Sequence, residues 1–123
     1  MTLTASVLHD DGLVMLALAG ELDVATTALV QSTLDTVLAA APGAGPLLLV
    51  VDLSGLVFCD STGLGTLVRA SRRVHDAGGR CVLAGATGPV DRLLRLMSME
   101  RLLVLADEVG PALEQLREDA ERG

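Results

Sequence analysis

The stretch LLLVVDL at 47–53 is apolar at successive positions, so a strand built from it presents hydrophobic side chains to both of its faces. Such a strand needs cover on both sides, which is the situation of an interior strand with parallel neighbours. Parallel neighbours need crossover connections, and the flanking sequence supplies helices for them. From Val30, the spacing Val30, Leu34, Val37, Leu38 and Ala41 predicts one apolar helical stripe, ended at Pro42 and Gly43. After the strand, Leu64, Leu67, Val68 and Ser71 share a second helical face. Arg69, Arg72 and Arg73 lie mostly off it as a solvated face, and Gly78-Gly79 closes the helix.

Before the first helix, Leu3, Ala5 and Val7 alternate with polar residues, Asp11-Gly12 follows, and Val14, Leu16 and Leu18 alternate again. Asp-Gly supplies the positive φ values of a tight turn, so this segment reads as a β-hairpin. Arg80 to Gly85 reads as a short strand. Val90, Leu93, Leu94 and Met97 have helical spacing, LLVLA at 102–106 reads as a strand, and Val109, Leu113, Leu116 and Ala120 line a last helix. The order is β-β-α-β-α-β-α-β-α, an α/β fold with a mixed sheet, an opening hairpin and about four covering helices. At 123 residues the chain has material for one core, so residues 1–123 are expected to form a single domain. APGAGP at 41–46 is a loop rich in breakers. With Phe58 the one aromatic residue, the core must come from Leu, Val, Ala and Met, and Met97 and Met99 read as core filler.

All 9 basic residues are arginine, and without lysine neither a Walker A phosphate loop nor Schiff-base chemistry can operate in this chain. Residues 1–68 hold Asp10, Asp11, Glu21, Asp23, Asp35, Asp52 and Asp60 and no arginine, so the net charge of −7 sits on the first half. That balance repels nucleic acid and favours a partner with basic groups, although a solvated acidic surface has the same composition. No apolar run approaches the ~20 residues of a bilayer span, and the start lacks a secretory signal. A cytoplasmic protein is expected. Cys59 and Cys81 lack metal spacing and are expected to be free, small core thiols; neither a metal nor a cofactor is anticipated. A hydrolase triad of Ser61 with His9 or His75 fails because no GxSxG elbow surrounds the serine.

The chemically suggestive stretch is DLSGLVFCDSTGLGTL at 52–67, in which a buried strand gives way to a helix at Asp60-Ser61-Thr62-Gly63. A helix start has unpaired N–H groups and about half a positive charge, so acceptor side chains collect there. Asp60, Ser61 and Thr62 are all competent caps, and the spacing alone leaves open which one serves.

DLS, a few apolar residues and then D-S-T-G-L-G resembles the signature of STAS domains, in particular the bacterial anti-sigma-factor antagonists. GELDVATT at 20–27 resembles the segment in which these proteins leave the second strand and enter the first helix. VDRLLRLMSMERLLVLADEVGPAL at 90–113 is similar to their last third. Two departures are a Ser98-Met99 turn where glycine is more usual and Cys59 in place of a bulkier apolar residue; neither touches the site that the resemblance implies.

The resemblance implies that Ser61 is phosphorylated by a partner that is both anti-sigma factor and serine kinase, with Thr62 as the rival acceptor. The unphosphorylated form then binds that kinase and frees the sigma factor, and a PP2C-type serine phosphatase resets the switch. Glu21, Asp23, Thr27, Asp60, Ser61, Thr62, Gly63 and Gly65 are the implied docking residues, with Asp60 orienting the loop, engaging the kinase or simply capping. Asp23 is equally an N-cap of the first helix, and Gly63 and Gly65 are expected to keep side chains away from an approaching protein. STAS-like domains also serve as non-switching scaffolds, lipid-transport subunits and small-ligand sensors, in which Ser61 would be only a cap. No catalytic constellation is present, so the chain is not expected to be an enzyme. The identity of the kinase and the oligomeric state are not encoded in any motif.

Overall fold

A computed structural model describes residues 2–10, 12–40 and 45–122. Asp11 of the hairpin turn, and the helix end at Pro42 and Gly43 within the 41–46 loop, lie outside the described residues. The elements run β1 (Leu3–Asp10), β2 (Leu13–Leu22), α1 (Thr27–Ala40), β3 (Leu48–Cys59), α2 (Ser61–Asp76), β4 (Arg80–Ala84), α3 (Gly88–Leu96), a 3-10 turn (Met99–Arg101), β5 (Leu105–Ala106) and α4 (Val109–Arg122). This is the expected order, with one mixed sheet.

The strands lie side by side in sequence order, β1-β2-β3-β4-β5. β1 pairs antiparallel with β2, from Leu3 opposite Gly20 to Asp10 opposite Leu13, and Gly12 takes φ +87° at the turn. All later pairings are parallel. When a sheet grows in one direction by right-handed crossovers, every crossover helix falls on the same face. Accordingly Val30, Leu34 and Val37 of α1, Leu64, Leu67 and Val74 of α2, and Val90 and Leu94 of α3 share one core with Leu16, Leu18, Leu49, Val51 and Leu53. α4 leads to no further strand. Its Ala112 and Leu116 cover the opposite face, against Leu13, Leu48, Val50 and Ala84. β3 is thus buried on both faces, as its composition requires.

The C-terminal end of α2 explains its glycine pair. Gly78 adopts φ +83°, its N–H donates to the His75 carbonyl at 2.9 Å, and the Gly79 N–H donates to the Val74 carbonyl at 2.9 Å. Two otherwise orphaned carbonyls are satisfied by a left-handed residue that glycine adopts without strain.

Three expectations need correction. The strand at 102–106 shrinks to Leu105–Ala106, because the N–H groups of Leu102 and Leu103 both turn back to the Met99 carbonyl, at 2.9 and 2.8 Å. A five-residue apolar run fits a packed turn as well as a strand, and here only Leu103 of its first three residues is buried. Met97 lies past the end of α3 and is 52% exposed, whereas Met99 is buried in the core. Ala120, placed by periodicity on the inner face of α4, is exposed because the helix runs past the edge of the sheet contact.

The Ser98 turn matters more than its distance from the site suggested. Ser98 has φ 51° and ψ 43°, the left-handed region, which costs a non-glycine residue about 1–2 kcal/mol. Ser98→Gly is therefore expected to raise stability by up to about 1 kcal/mol after the added freedom of the unfolded chain is subtracted. A lower or unchanged thermal midpoint for that variant would show that Ser98 is not strained.

Candidate functional site

β3 runs on past its last pairing with β4, Asp52 opposite Ala84, and accompanies β2 alone as far as Leu22 opposite Cys59. The next residue, Asp60, has an extended backbone, and its N–H donates to the Leu22 carbonyl at 3.2 Å. These bonds carry the exit of β2 to the start of α2. The paired strand ends bring Glu21 and Asp23 to the same end of the sheet as Ser61.

Asp60 is the N-cap of α2. Its Oδ1 accepts from the Gly63 N–H at 2.8 Å, and its carbonyl accepts the first intrahelical bond from the Leu64 N–H at 2.9 Å. A carboxylate at this position also meets the positive end of the helix dipole. Ser61 and Thr62 follow as the first two helical residues, and both are exposed. The Ser61 hydroxyl makes no hydrogen bond among the described residues. Thr62 offers its carbonyl to the Thr66 hydroxyl at 3.1 Å. Exposure alone does not distinguish the two hydroxyls; capping does distinguish both from Asp60.

Gly63 does not face an incoming protein, contrary to expectation, because it is buried. A Cβ there would lie 2.6 Å from the Leu22 carbonyl oxygen and 2.9 Å from both the Cys59 sulfur and Leu22 Cγ. Its missing side chain lets the first turn of α2 press onto the end of β2. Gly65 is half-buried, with only the Arg69 guanidinium, at 3.3 Å, near the place of a Cβ.

The segment from Glu21 to Thr27 is held by its own polar groups. The Thr26 hydroxyl donates to the Glu21 carbonyl at 2.9 Å and accepts from the Asp23 N–H at 3.0 Å. Asp23 Oδ1 accepts from the Ala25 N–H at 3.0 Å and lies 3.3 Å from the same hydroxyl. The Asp23 carboxylate thus closes a local turn before α1, and the Thr27 hydroxyl donates to the Val24 carbonyl at 3.5 Å. Thr26 is the brace, and the spacing Asp-x-x-Thr is the signal for it. Glu21, Asp23 and Thr27 are all half-buried. Of the three arginines on α2, Arg69 donates to the Thr66 hydroxyl at 3.2 Å, Arg73 pairs with Asp35 of α1 at 2.6 Å, and Arg72 is exposed. His9 and His75 are exposed, on β1 and near the end of α2.

Both cysteines are free and buried. Burial, and then the adjacent Asp60 charge, push the Cys59 thiol up to about 11; burial pushes Cys81 up to about 12 against the opposing effect of a hydrogen bond with Ser71.

A mixed sheet in sequential order, three helices on one face, and a helix start that displays a serine together define a STAS domain. The STAS family model matches residues 4–115, and the chain belongs to that family. It is 28% identical over 116 residues to the anti-sigma F factor antagonist of Paenibacillus polymyxa, covering 94% of this chain and 97% of that protein. It is 31% identical over 119 residues to the anti-sigma-F factor antagonist RsfB of Mycobacterium tuberculosis, covering 94% and 91%. The crystal structure of an anti-sigma factor antagonist from Mycobacterium paratuberculosis superposes with a TM-score of 0.80 at 26% identity, covering 94% of this chain and 95% of that one.

Gly63→Ala is expected to lower stability by about 1–3 kcal/mol, because the backbone oxygen of Leu22 must move to admit the methyl group. A thermal midpoint equal to or above that of the parent would rule out the close approach. The thiols supply a second check: at pH 8 the native chain should react with a disulfide reagent at least about tenfold more slowly than the chain in denaturant. A thiol whose pKa is higher when folded contributes stability that is fully present below its ordinary 9.0 and is lost as pH rises through about 11 for Cys59 and about 12 for Cys81. Unfolding titrations between pH 8 and 11 should show that decline, and equal labelling of native and denatured chains would contradict it.

Proposed function

We propose that residues 1–123 act as one STAS domain that antagonises an anti-sigma factor by binding it, and that phosphorylation of Ser61 ends the binding. The observation that carries this reading is the division of labour at the start of α2. Asp60 does the capping, so the exposed Ser61 hydroxyl has no structural task and is available to a kinase. The anti-sigma factor is itself the serine kinase in this reading. It transfers the γ-phosphoryl group of ATP to Ser61: the Oγ–P bond forms, the bond to the β-phosphate bridging oxygen breaks, ADP leaves, and a base of the kinase takes the hydroxyl proton. A PP2C-type phosphatase restores the hydroxyl by adding water across the phosphoester. Thr62 is the alternative acceptor, and the family resemblance of D-S-T-G favours the first hydroxyl.

The switch is electrostatic. Phosphorylation adds about −1.5 to −2 charge beside Asp60, at the end of the sheet that also carries Glu21 and Asp23. The helix start accommodates the phosphate locally, through N–H groups and the dipole, so the fold survives. A docked partner does not accommodate it: a partner carboxylate ~7 Å from the new charge is repelled by on the order of 2 kcal/mol at an intermediate dielectric. That repulsion corresponds to over tenfold in affinity, before the cost of stripping water from the phosphate. The chain itself performs no chemistry; it is the substrate of the kinase and the phosphatase in the cytoplasm.

Ser61→Asp should unfold at the same temperature as the parent to within a few degrees and bind the kinase about fivefold more weakly, since its single charge carries about half the repulsion of a phosphate, while Ser61→Ala should bind persistently in the presence of ATP. Calorimetric titration together with phosphopeptide mapping measures both. Undiminished binding by Ser61→Asp, or phosphate on a residue other than 61, would overturn the proposal.

A further inference from the structure

The pairing of β2 with β3 slips twice, and the second slip lies three residues before Asp60. Gly20 is opposite Leu56, while the next residue, Glu21, is opposite Phe58, so Val57 is an extra residue without a partner. A bulge of this kind breaks the alternation of a strand and re-aims its side chains. Here Leu56 and Cys59 point into the core while both residues between them, Val57 and Phe58, are exposed, at 64% and 44%. Phe58 is the single aromatic residue of the chain. Val24 is 73% exposed in the turn that follows β2. Three large apolar side chains are therefore held in water at the end of the sheet that carries Ser61. Leaving such groups in contact with water forgoes a favourable burial term, which a partner that covers them would recover.

We propose that Val24, Val57 and Phe58 are the apolar anchor through which the anti-sigma factor kinase docks over Ser61, seated in an apolar pocket on the kinase that is edged by arginine or lysine side chains. This rests on the partner-docking reading above and adds what holds the partner in place. Charge selects the occupant. Glu21 is opposite Phe58 in the sheet, Asp23 is next to Val24 and Asp60 is two residues beyond Phe58, and residues 1–68 contain no arginine or lysine. An anionic lipid surface would be repelled. A second copy docking through the same patch about a twofold axis would set these acids against their own counterparts. A protein that offers a hydrophobic pocket with a basic rim meets neither objection: the pocket buries the apolar side chains and the rim complements the acids.

The test titrates the anti-sigma factor kinases of the source organism, purified, with the full chain by calorimetry and follows Ser61 phosphorylation at limiting kinase. The Val57→Thr/Phe58→Ser double variant should bind at least about tenfold more weakly and be phosphorylated correspondingly more slowly, with its fold checked by thermal unfolding. Val24→Thr, at an exposed turn position outside the core and with its fold checked in the same way, should weaken binding about threefold. Leu102→Ser/Val104→Thr, equally exposed but at the β5 edge, should bind like the parent. If the parent binds a kinase and the Val57→Thr/Phe58→Ser and Val24→Thr variants bind it equally well, the anchor is wrong while the docking reading stands. If the parent binds none of the kinases, the docking reading fails and the anchor falls with it.

Discussion

The contact of the first turn of α2 with the end of β2 organises this molecule. The Asp60 N–H meets the Leu22 carbonyl, the Asp60 carboxylate caps the helix, and Gly63 allows helix and strand to approach closer than any side chain would permit. Each part depends on the others. Without the glycine the helix would stand away from the strand and the Leu22–Asp60 bond would lengthen. Without the cap the first turn would lose a partner for a buried N–H, at a cost of about 1 kcal/mol. The segment from Glu21 to Thr27 begins where β2 ends, so the same contact also places the acidic turn braced by Thr26.

This arrangement separates what must be rigid from what must be available. The rigid parts, Leu22, Cys59, Gly63 and Leu64, are buried in the core. The available part is a hydroxyl with no hydrogen bond among the described residues, on the first residue of a 16-residue helix. A modification there changes charge without removing any packing contact, which is the physical condition for a switch that alters binding and leaves the fold alone. Cys59, expected to stand clear of the site, lies against Gly63 beneath it, and Cys81 lies in the central core; burial raises the pKa of both thiols.

Much of the fold was legible because hydrophobic periodicity and a few turn residues carry strong local information. The alternations around Asp11-Gly12 imply a hairpin whatever surrounds them, and LLLVVDL demands cover on both faces. The readings that failed were those in which two local outcomes share one pattern. LLVLA at 102–106 has the composition of a strand, but the 3-10 turn at Met99–Arg101 consumes its first half. Met97 continues the apolar spacing of α3 although the helix has already ended. Gly63 looked like a surface glycine because its reason for being glycine, the Leu22 carbonyl, is about 40 residues away in sequence.

The sequence alone determined the order of elements, the doubly buried centre of the sheet, the acidic first half and a D-S-T-G helix start, since each follows from nearest-neighbour chemistry or from charge, which need no partner. Tertiary structure decided which of three adjacent residues caps the helix, that the acidic turn lies at the same end of the sheet as the serine, and that a bulge turns Val57 and Phe58 to solvent. These depend on backbone dihedral angles and strand register, which are set by contacts between segments far apart in the chain.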